Sequence, residues 1–68
     1  MTHIIFKDAI DIVESYPEAR ILRTRNDWVE AEFYTKDDME KACIQLLHRG
    51  YNLQINRGRY EITITMPV

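Results

Sequence analysis

The side chains with reactive chemistry in this sequence are one cysteine and two histidines. Cys43 lies beside Ala42 on the apolar stripe of a predicted helix, and no histidine is positioned to activate it. Because free cysteine is among the most often buried residue types, we expect Cys43 to be a core thiol. His48 falls in the last turn of the same helix, where capping and solvation account for an imidazole. His3 suggests no role.

Three glutamates, Glu30, Glu32 and Glu61, are expected on one face of a predicted sheet. Three carboxylates can bind a divalent ion or divide acid and base roles. Arginines are predicted on the same face, however, and cross-strand pairing accounts for both signs of charge without catalysis. The two glycines, Gly50 and Gly58, suit a helix cap and a turn rather than a phosphate-binding loop. The sequence therefore predicts no enzymatic activity, no metal site and no cofactor.

Arginines grouped in two predicted hairpins form a candidate nucleic-acid site. Arg20, Arg23 and Arg25 belong to the first hairpin, and Arg57 and Arg59 flank the turn of the second. Arginines beside exposed aromatic rings can hold the phosphates and stack the bases of RNA or single-stranded DNA. Glutamates on the same face, acid-rich helices and a net charge of -2 disfavour a clearly basic footprint. Nucleic-acid binding is therefore the alternative hypothesis.

Trp28 favours binding to another protein, because Trp, Tyr and Arg are enriched at interface hot spots. The ring is predicted on the wet face of a small sheet, where packing under the Arg25 guanidinium is the competing explanation. We expect a non-enzymatic interaction module, of regulator, adaptor or inhibitor type, that binds a partner protein or itself. The predicted partner-binding residues are Trp28, Arg23, Arg25, Tyr34, Arg59, Asn52, Gln54 and Asn56.

The first half of the chain predicts a helix followed by a hairpin. Apolar residues recur at helical spacing over 5–16, and Pro17 disfavours helical geometry at the residue before it. Runs 19–25 and 28–34 then alternate with period two around the two-residue turn 26–27. A two-residue turn places Arg25 opposite Trp28, Arg23 opposite Glu30, and Leu22 opposite Ala31. In this register Leu22 faces inward.

The second half repeats the pattern. Thr35 suits a helix N-cap and Gly50 the C-terminal cap. The predicted apolar stripe of this helix is Met39, Ala42, Cys43, Leu46 and Leu47. Runs 51–56 and 59–66 then alternate around 57–58. The predicted inward residues are Tyr51, Leu53, Ile55, Tyr60, Ile62 and Ile64, and the outward ones are Asn52, Gln54, Asn56, Arg59, Glu61 and Thr63.

The predicted architecture is a single α+β domain over 1–68, with two tandem αββ units at about 1–34 and 35–68. Two helices cover one side of a four-stranded antiparallel sheet of order β1-β2-β4-β3, which resembles a ferredoxin-like layer order after permutation. Both edge strands are polar. The first carries arginines, a common protection against edge pairing, whereas 52–56 is uncharged and is the predicted edge for a dimer.

Composition bounds the remaining possibilities. Hydrophobic residues make up 46% and charged residues 29%, near the averages of soluble globular proteins. The longest apolar run, 4–6, is far too short to span a bilayer, and the first residues lack a signal-peptide pattern, so we expect a cytoplasmic protein without membrane contact. A chain of 68 residues with one cysteine has no internal disulfide, which leaves homodimerisation as the expected source of added stability.

Overall fold

The computed structural model describes residues 6–56 and 58–66, which form two helices and one four-stranded sheet. In chain order the elements are α1 (Lys7–Glu14), β1 (Arg20–Thr24), β2 (Trp28–Glu32), α2 (Lys36–His48), β3 (Asn52–Asn56) and β4 (Glu61–Thr65). The fold is α+β with the predicted αββαββ order.

The sheet is antiparallel throughout, with the strand order β1-β2-β4-β3. The second strands of the two hairpins are therefore central, where Val29 pairs with Ile64 and Ala31 with Ile62. The first strands, β1 and β3, form the edges. The predicted class and strand order are both confirmed.

Burial follows the period of two in the central strands. Val29, Ala31, Ile62 and Ile64 are at most 1% exposed, while their sequence neighbours within β2 and β4 are half-buried. These four side chains share one core with buried residues of both helices. Full burial of a valine or isoleucine side chain contributes about 1.5–3 kcal/mol to folding, and that of the smaller Ala31 contributes less. The helix members of the core are Ala9, Val13, Met39, Ala42, Cys43 and Leu46.

Both ends of α2 carry the predicted caps. The Thr35 hydroxyl oxygen accepts a hydrogen bond from the backbone N–H of Asp38 at 3.1 Å. At the other end Gly50 has a φ of 93°, a left-handed conformation that favours glycine. The N–H groups of Gly50 and Tyr51 donate to carbonyls of the last turn at 3.0 and 3.2 Å. These bonds satisfy carbonyl groups that a helix end otherwise leaves unpaired.

Side chains join the two helices on their polar margins. The Tyr16 hydroxyl donates to Gln45 Oε1 at 2.6 Å, and Arg49 Nη1 lies 3.2 Å from Asp8 Oδ2. The first helix is shorter than the predicted span of 5–16, since α1 begins at Lys7 and ends at Glu14. Residue 5 lies outside the described part of the chain.

The register of the first hairpin is as predicted near the turn and different beyond it. Arg23 pairs with Glu30, but the next pair joins Ile21 to Ala31, so Leu22 is an extra residue in β1. The prediction that Leu22 faces inward opposite Ala31 is therefore wrong: Ile21 packs against the core and Leu22 is 38% exposed. Adjacent apolar residues cannot both face inward in a strand, and the bulge decides between them.

The turn of the second hairpin is longer than predicted. Asn56 pairs with Glu61, so the connection is 57–60 rather than 57–58. Arg59 and Tyr60 therefore lie in the turn and not on a strand. The φ of Tyr60 is 55°, and the predicted inward position of this side chain is wrong because the residue is 40% exposed.

Two further residues predicted to be inward are largely exposed. Leu47 of α2 is 57% exposed and Ile55 of β3 is 44% exposed. Both lie on the side of α2 and β3 that is farthest from α1, where none of the described elements covers them. Position at the margin of the layer, and not the apolar pattern, determines their exposure.

We predict that replacing Thr35 by Ala lowers the free energy of unfolding by about 1 kcal/mol, because the Asp38 N–H loses its acceptor. Thr35→Ser is the matched control and should retain most of the stability. Urea denaturation followed by circular dichroism measures both. Equal stability of the two variants would show that the cap contributes nothing.

Candidate functional site

The side of the sheet opposite the helices is the candidate site, and we call it the open face. Directly paired residues of neighbouring strands project to the same face, so each column of this surface follows from the register. The columns are Arg20, Arg23 and Arg25 along β1 and its end, Trp28, Glu30 and Glu32 on β2, Glu61, Thr63 and Thr65 on β4, and Asn52, Gln54 and Asn56 on β3.

Cross-strand ion pairs neutralise the arginine column. Arg20 Nε lies 2.8 Å from Glu32 Oε1, and Arg23 Nε lies 3.8 Å from Glu30 Oε1. The predicted position of Arg23 opposite Glu30 is therefore confirmed, whereas the pair of Arg20 with Glu32 was not predicted and follows from the register shift at Leu22. Exposed pairs of this kind contribute about 0–1 kcal/mol each to stability. The four columns of described residues hold three arginines and three glutamates, so the formal charge along them cancels.

Trp28 lies at one end of the open face and is half-buried. The Arg25 guanidinium carbon is 5.9 Å from the centroid of the indole ring, within cation–π range. The backbone N–H of Arg25 also donates to the Trp28 carbonyl at 2.8 Å across the predicted two-residue turn. Trp28 and Arg25, both predicted site residues, therefore form one contact.

Tyr34 and Arg59 lie at the other end of the open face. They border a wide, shallow depression of about 620 Å³ beside Arg20 and Glu32. Tyr34 is 66% exposed. Trp28 and Glu32 are four residues apart in β2, a distance of about 13 Å, and Tyr34 lies two residues further along the chain.

Backbone strain is concentrated at this depression. Glu18 and Tyr60 both line it, and their φ values are 58° and 55°. Left-handed backbone is unfavourable for residues other than glycine, asparagine and aspartate, and such strain is often found at functional sites. Arg59 belongs to this strained turn and not, as predicted, to the outward side of a strand.

The β3 column is uncharged. Asn52 Nδ2 donates to the Met66 carbonyl at 3.4 Å, and Asn56 Oδ1 accepts from the Gly58 N–H at 3.2 Å. Within the described chain Gln54 makes no side-chain hydrogen bond. Arg57, named above for the alternative nucleic-acid site, lies outside the described residues.

Cys43 is a buried free thiol, as predicted. Burial raises the pKa of this thiol, and the nearby Glu40 carboxylate adds to the rise. The thiolate is the reactive form of cysteine, so a raised pKa opposes nucleophilic chemistry here. His48 lies exposed in the last turn of α2, the position that the sequence predicts.

Over residues 6–56 and 58–66, no three side chains of the His, Cys, Asp and Glu types come together as metal ligands. In the same residues, no helix has the length and apolar character to cross a membrane. No protein-family model, curated protein or solved structure matches the chain.

The sequence patterns missed one part of this surface and one exposed apolar residue on the helix side of the sheet. Tyr60 and Glu18 line the depression because of turn geometry, for which an alternating pattern gives no signal. Ile44 of α2 is 58% exposed and lies outside the predicted stripe. The helical spacing could have predicted the exposure of Ile44, because the residue directly after the buried Cys43 points away from the core.

We predict that the free energy of unfolding falls as the pH rises above about 9, the ordinary pKa of cysteine being 9.0. Folded Cys43 keeps its proton where the unfolded chain releases it, so its contribution is complete below the unfolded pKa and lost as the pH rises through the folded value. Burial raises the Tyr16 pKa as well, from 10.0.

Cys43→Ala is the control, since it removes the thiol and leaves Tyr16 in place. Urea denaturation at several pH values should show a smaller alkaline loss for this variant. Native Cys43 should also react slowly with a thiol reagent and rapidly after unfolding. Rapid reaction of the folded protein would contradict the assignment.

Proposed function

We propose that this chain is a non-enzymatic interaction module that binds a partner protein through the open face. The observation that carries the proposal is the position of Trp28 on a sheet face that none of the described elements covers. An indole on a polar surface exposes apolar area to water, and a partner that covers it gains the energy of burial. Regulator, adaptor and inhibitor proteins are the classes consistent with such a surface.

The arrangement of the open face indicates the chemistry of the partner. Trp28 with Arg25 offers an aromatic contact at one end, and Tyr34 with Arg59 offers a second beyond Glu32, which is itself about 13 Å from Trp28 along β2. Between them, Glu30 and the other paired charges form a neutral, polar centre. We propose a partner surface with apolar groups at a matching separation and polar groups between them.

The size of the domain is consistent with this role. A standard protein interface hides about 800 Å² on each partner, which is about a sixth of the 5009 Å² surface of this chain. A second copy of the chain is also a candidate partner, through the β3 edge and not through the open face. The cytoplasmic location stays a prediction.

We predict that Trp28→Ala weakens partner binding by at least about 30-fold, the effect of removing a hot-spot side chain. Proteins captured from cells on the immobilised chain are purified, and their affinities are measured for wild type and variant. Trp28 is the only tryptophan in the sequence, so a shift of its fluorescence on binding reports burial of the ring directly.

Two further variants control for folding. Tyr34→Ala changes a side chain that is 66% exposed, and it should weaken binding without loss of stability. Glu14→Ala changes an exposed residue of α1, on the helix side of the sheet, and should leave binding unchanged. Full partner affinity in both Trp28→Ala and Tyr34→Ala would reject the open face as the binding surface.

The alternative is binding of single-stranded nucleic acid. It is favoured by the contact between Trp28 and Arg25 and by the proximity of Tyr34 and Arg59, since rings and guanidinium groups stack on bases. The ion pairs of Arg20 and Arg23 oppose it, because glutamates already neutralise these side chains. A phosphate backbone would have to displace both carboxylates.

We predict no salt-sensitive binding of a mixed-sequence single-stranded RNA at physiological ionic strength. Fluorescence anisotropy of a labelled oligonucleotide at two salt concentrations measures it. Binding that weakens steeply as salt rises, and that is lost in Arg25→Gln but not in the α1 variant Lys7→Gln, would instead support the alternative.

A further inference from the structure

The two edges of the sheet differ in how they resist pairing with another strand. The β1 edge carries Arg20 and Arg23 and is interrupted by the bulge at Leu22. Charged side chains and bulges are both devices that prevent edge-to-edge association. By contrast, β3 pairs with β4 in an unbroken register and carries no charge. Of the two edges formed by residues 6–56 and 58–66, β3 is the one that these features leave open to a further strand.

We infer that β3 binds β3 of a second copy of this chain, in an antiparallel pair centred on Gln54. The inference goes beyond the proposed function, because it concerns a second contact surface. It uses the edge and one helix flank, rather than the open face around Trp28. The two proposals can therefore fail separately.

The sequence of β3 is a chemical palindrome, Asn-Leu-Gln-Ile-Asn. In an antiparallel pair centred on Gln54, Asn52 meets Asn56 of the second copy, Leu53 meets Ile55, and Gln54 meets itself. Side-chain amides donate and accept hydrogen bonds, so like residues are complementary across a twofold axis. Like charges at the same positions would repel. Apolar residues likewise meet apolar residues on the helix side.

The helix above this edge exposes a flank whose C-terminal half, Ile44 and Leu47, is apolar. Lys36, Glu40, Ile44 and Leu47 follow one another at helical spacing along α2. Ile44 is 58% and Leu47 57% exposed. Gln45, which accepts a hydrogen bond from Tyr16 two residues after the end of α1, points the other way. The flank therefore faces away from α1, toward the β3 side.

A groove joins this flank to the strand. Lys36, Met39 and Glu40 of α2 border a space of about 520 Å³ together with Ile55 of β3 and Tyr60 of the turn. Seven large hydrophobic side chains are exposed in the described chain, and four of them lie along this one side. The four are Ile44, Leu47, Ile55 and Tyr60. Their concentration indicates a surface that becomes covered.

Sheet geometry brings the two helices into contact when the strands pair. Neighbouring strands lie about 4.8 Å apart, so one helix covers a width of about two strands, or 10 Å. Continuing the sheet from β3 to its copy therefore places the second α2 about 10 Å from the first, near the packing distance of helices. The exposed flanks of the two α2 helices then face each other over paired Leu53 and Ile55.

The first test is the mass in solution, measured by sedimentation from about 1 µM to 1 mM protein, which spans micromolar affinity. We expect twice the 8.1 kDa chain mass at high concentration. Ile44→Glu with Leu47→Glu should raise the dissociation constant at least about 10-fold. Leu22→Glu, an equivalent change at the β1 edge, should leave it unchanged.

The second test uses the self-contact of residue 54. Gln54→Lys and Gln54→Glu should each weaken the dimer, because like charges meet at the axis, whereas an equimolar mixture of the two variants should associate. Gln54→Cys should form a disulfide-linked dimer under mild oxidation, because directly opposed strand residues are 4.5–5.5 Å apart at Cα. Asn52→Cys should not, because its two copies would be about 13 Å apart.

A monomer at every concentration would overturn the inference. So would a dimer that survives the Ile44 and Leu47 changes, or equal crosslinking of the two cysteine variants. Trp28→Ala should leave the dimer intact. A Trp28 variant that loses its partner but still dimerises separates the two proposals, as does a monomeric Ile44→Glu, Leu47→Glu variant that still binds the partner.

Discussion

The contact between the two central strands and the two helices is the interaction on which the rest of this protein depends. Val29, Ala31, Ile62 and Ile64 are buried in it almost completely. Because strand side chains alternate, burial of these four places every neighbouring side chain of β2 and β4 on the opposite face. Both described helices pack against the buried side of the sheet. The open face is thus a consequence of how the core is built, and its residues are free of any packing role within that core.

Much of the fold follows from local patterns. The alternation in β2 and β4 marks them as the half-buried central strands, and the caps at Thr35 and Gly50 fix the ends of α2. The patterns fail where tertiary contacts choose between equivalent local solutions. Ile21 and Leu22 are both apolar, and only the pairing of β1 with β2 determines which one turns inward. Leu47 fits a helical stripe, but its burial depends on how far the sheet extends beneath it.

The candidate site, like the fold, was predictable where it depends on local sequence patterns and not where it depends on tertiary contacts. Pairing of Arg23 with Glu30 follows from the turn position and needs no tertiary information. The depression beside Tyr34 does not, because it depends on the backbone of Glu18 and of the turn at Tyr60, whose left-handed conformations are unusual for these residue types. A surface that is built from turns cannot be predicted from the periodicity of the sequence.

The strand order also has a consequence for folding. Contacts of α1 with β1, of β1 with β2, of α2 with β3 and of β3 with β4 all join elements that are neighbours along the chain. The pairing of β2 with β4 and the contact between the helices join residues that are far apart in the chain, as when Trp28 meets Thr65. Closing so long a loop is the largest entropic cost in such a topology. The two hairpins can therefore form early and independently, and their docking along the centre of the sheet becomes the step that commits the whole chain to the native state.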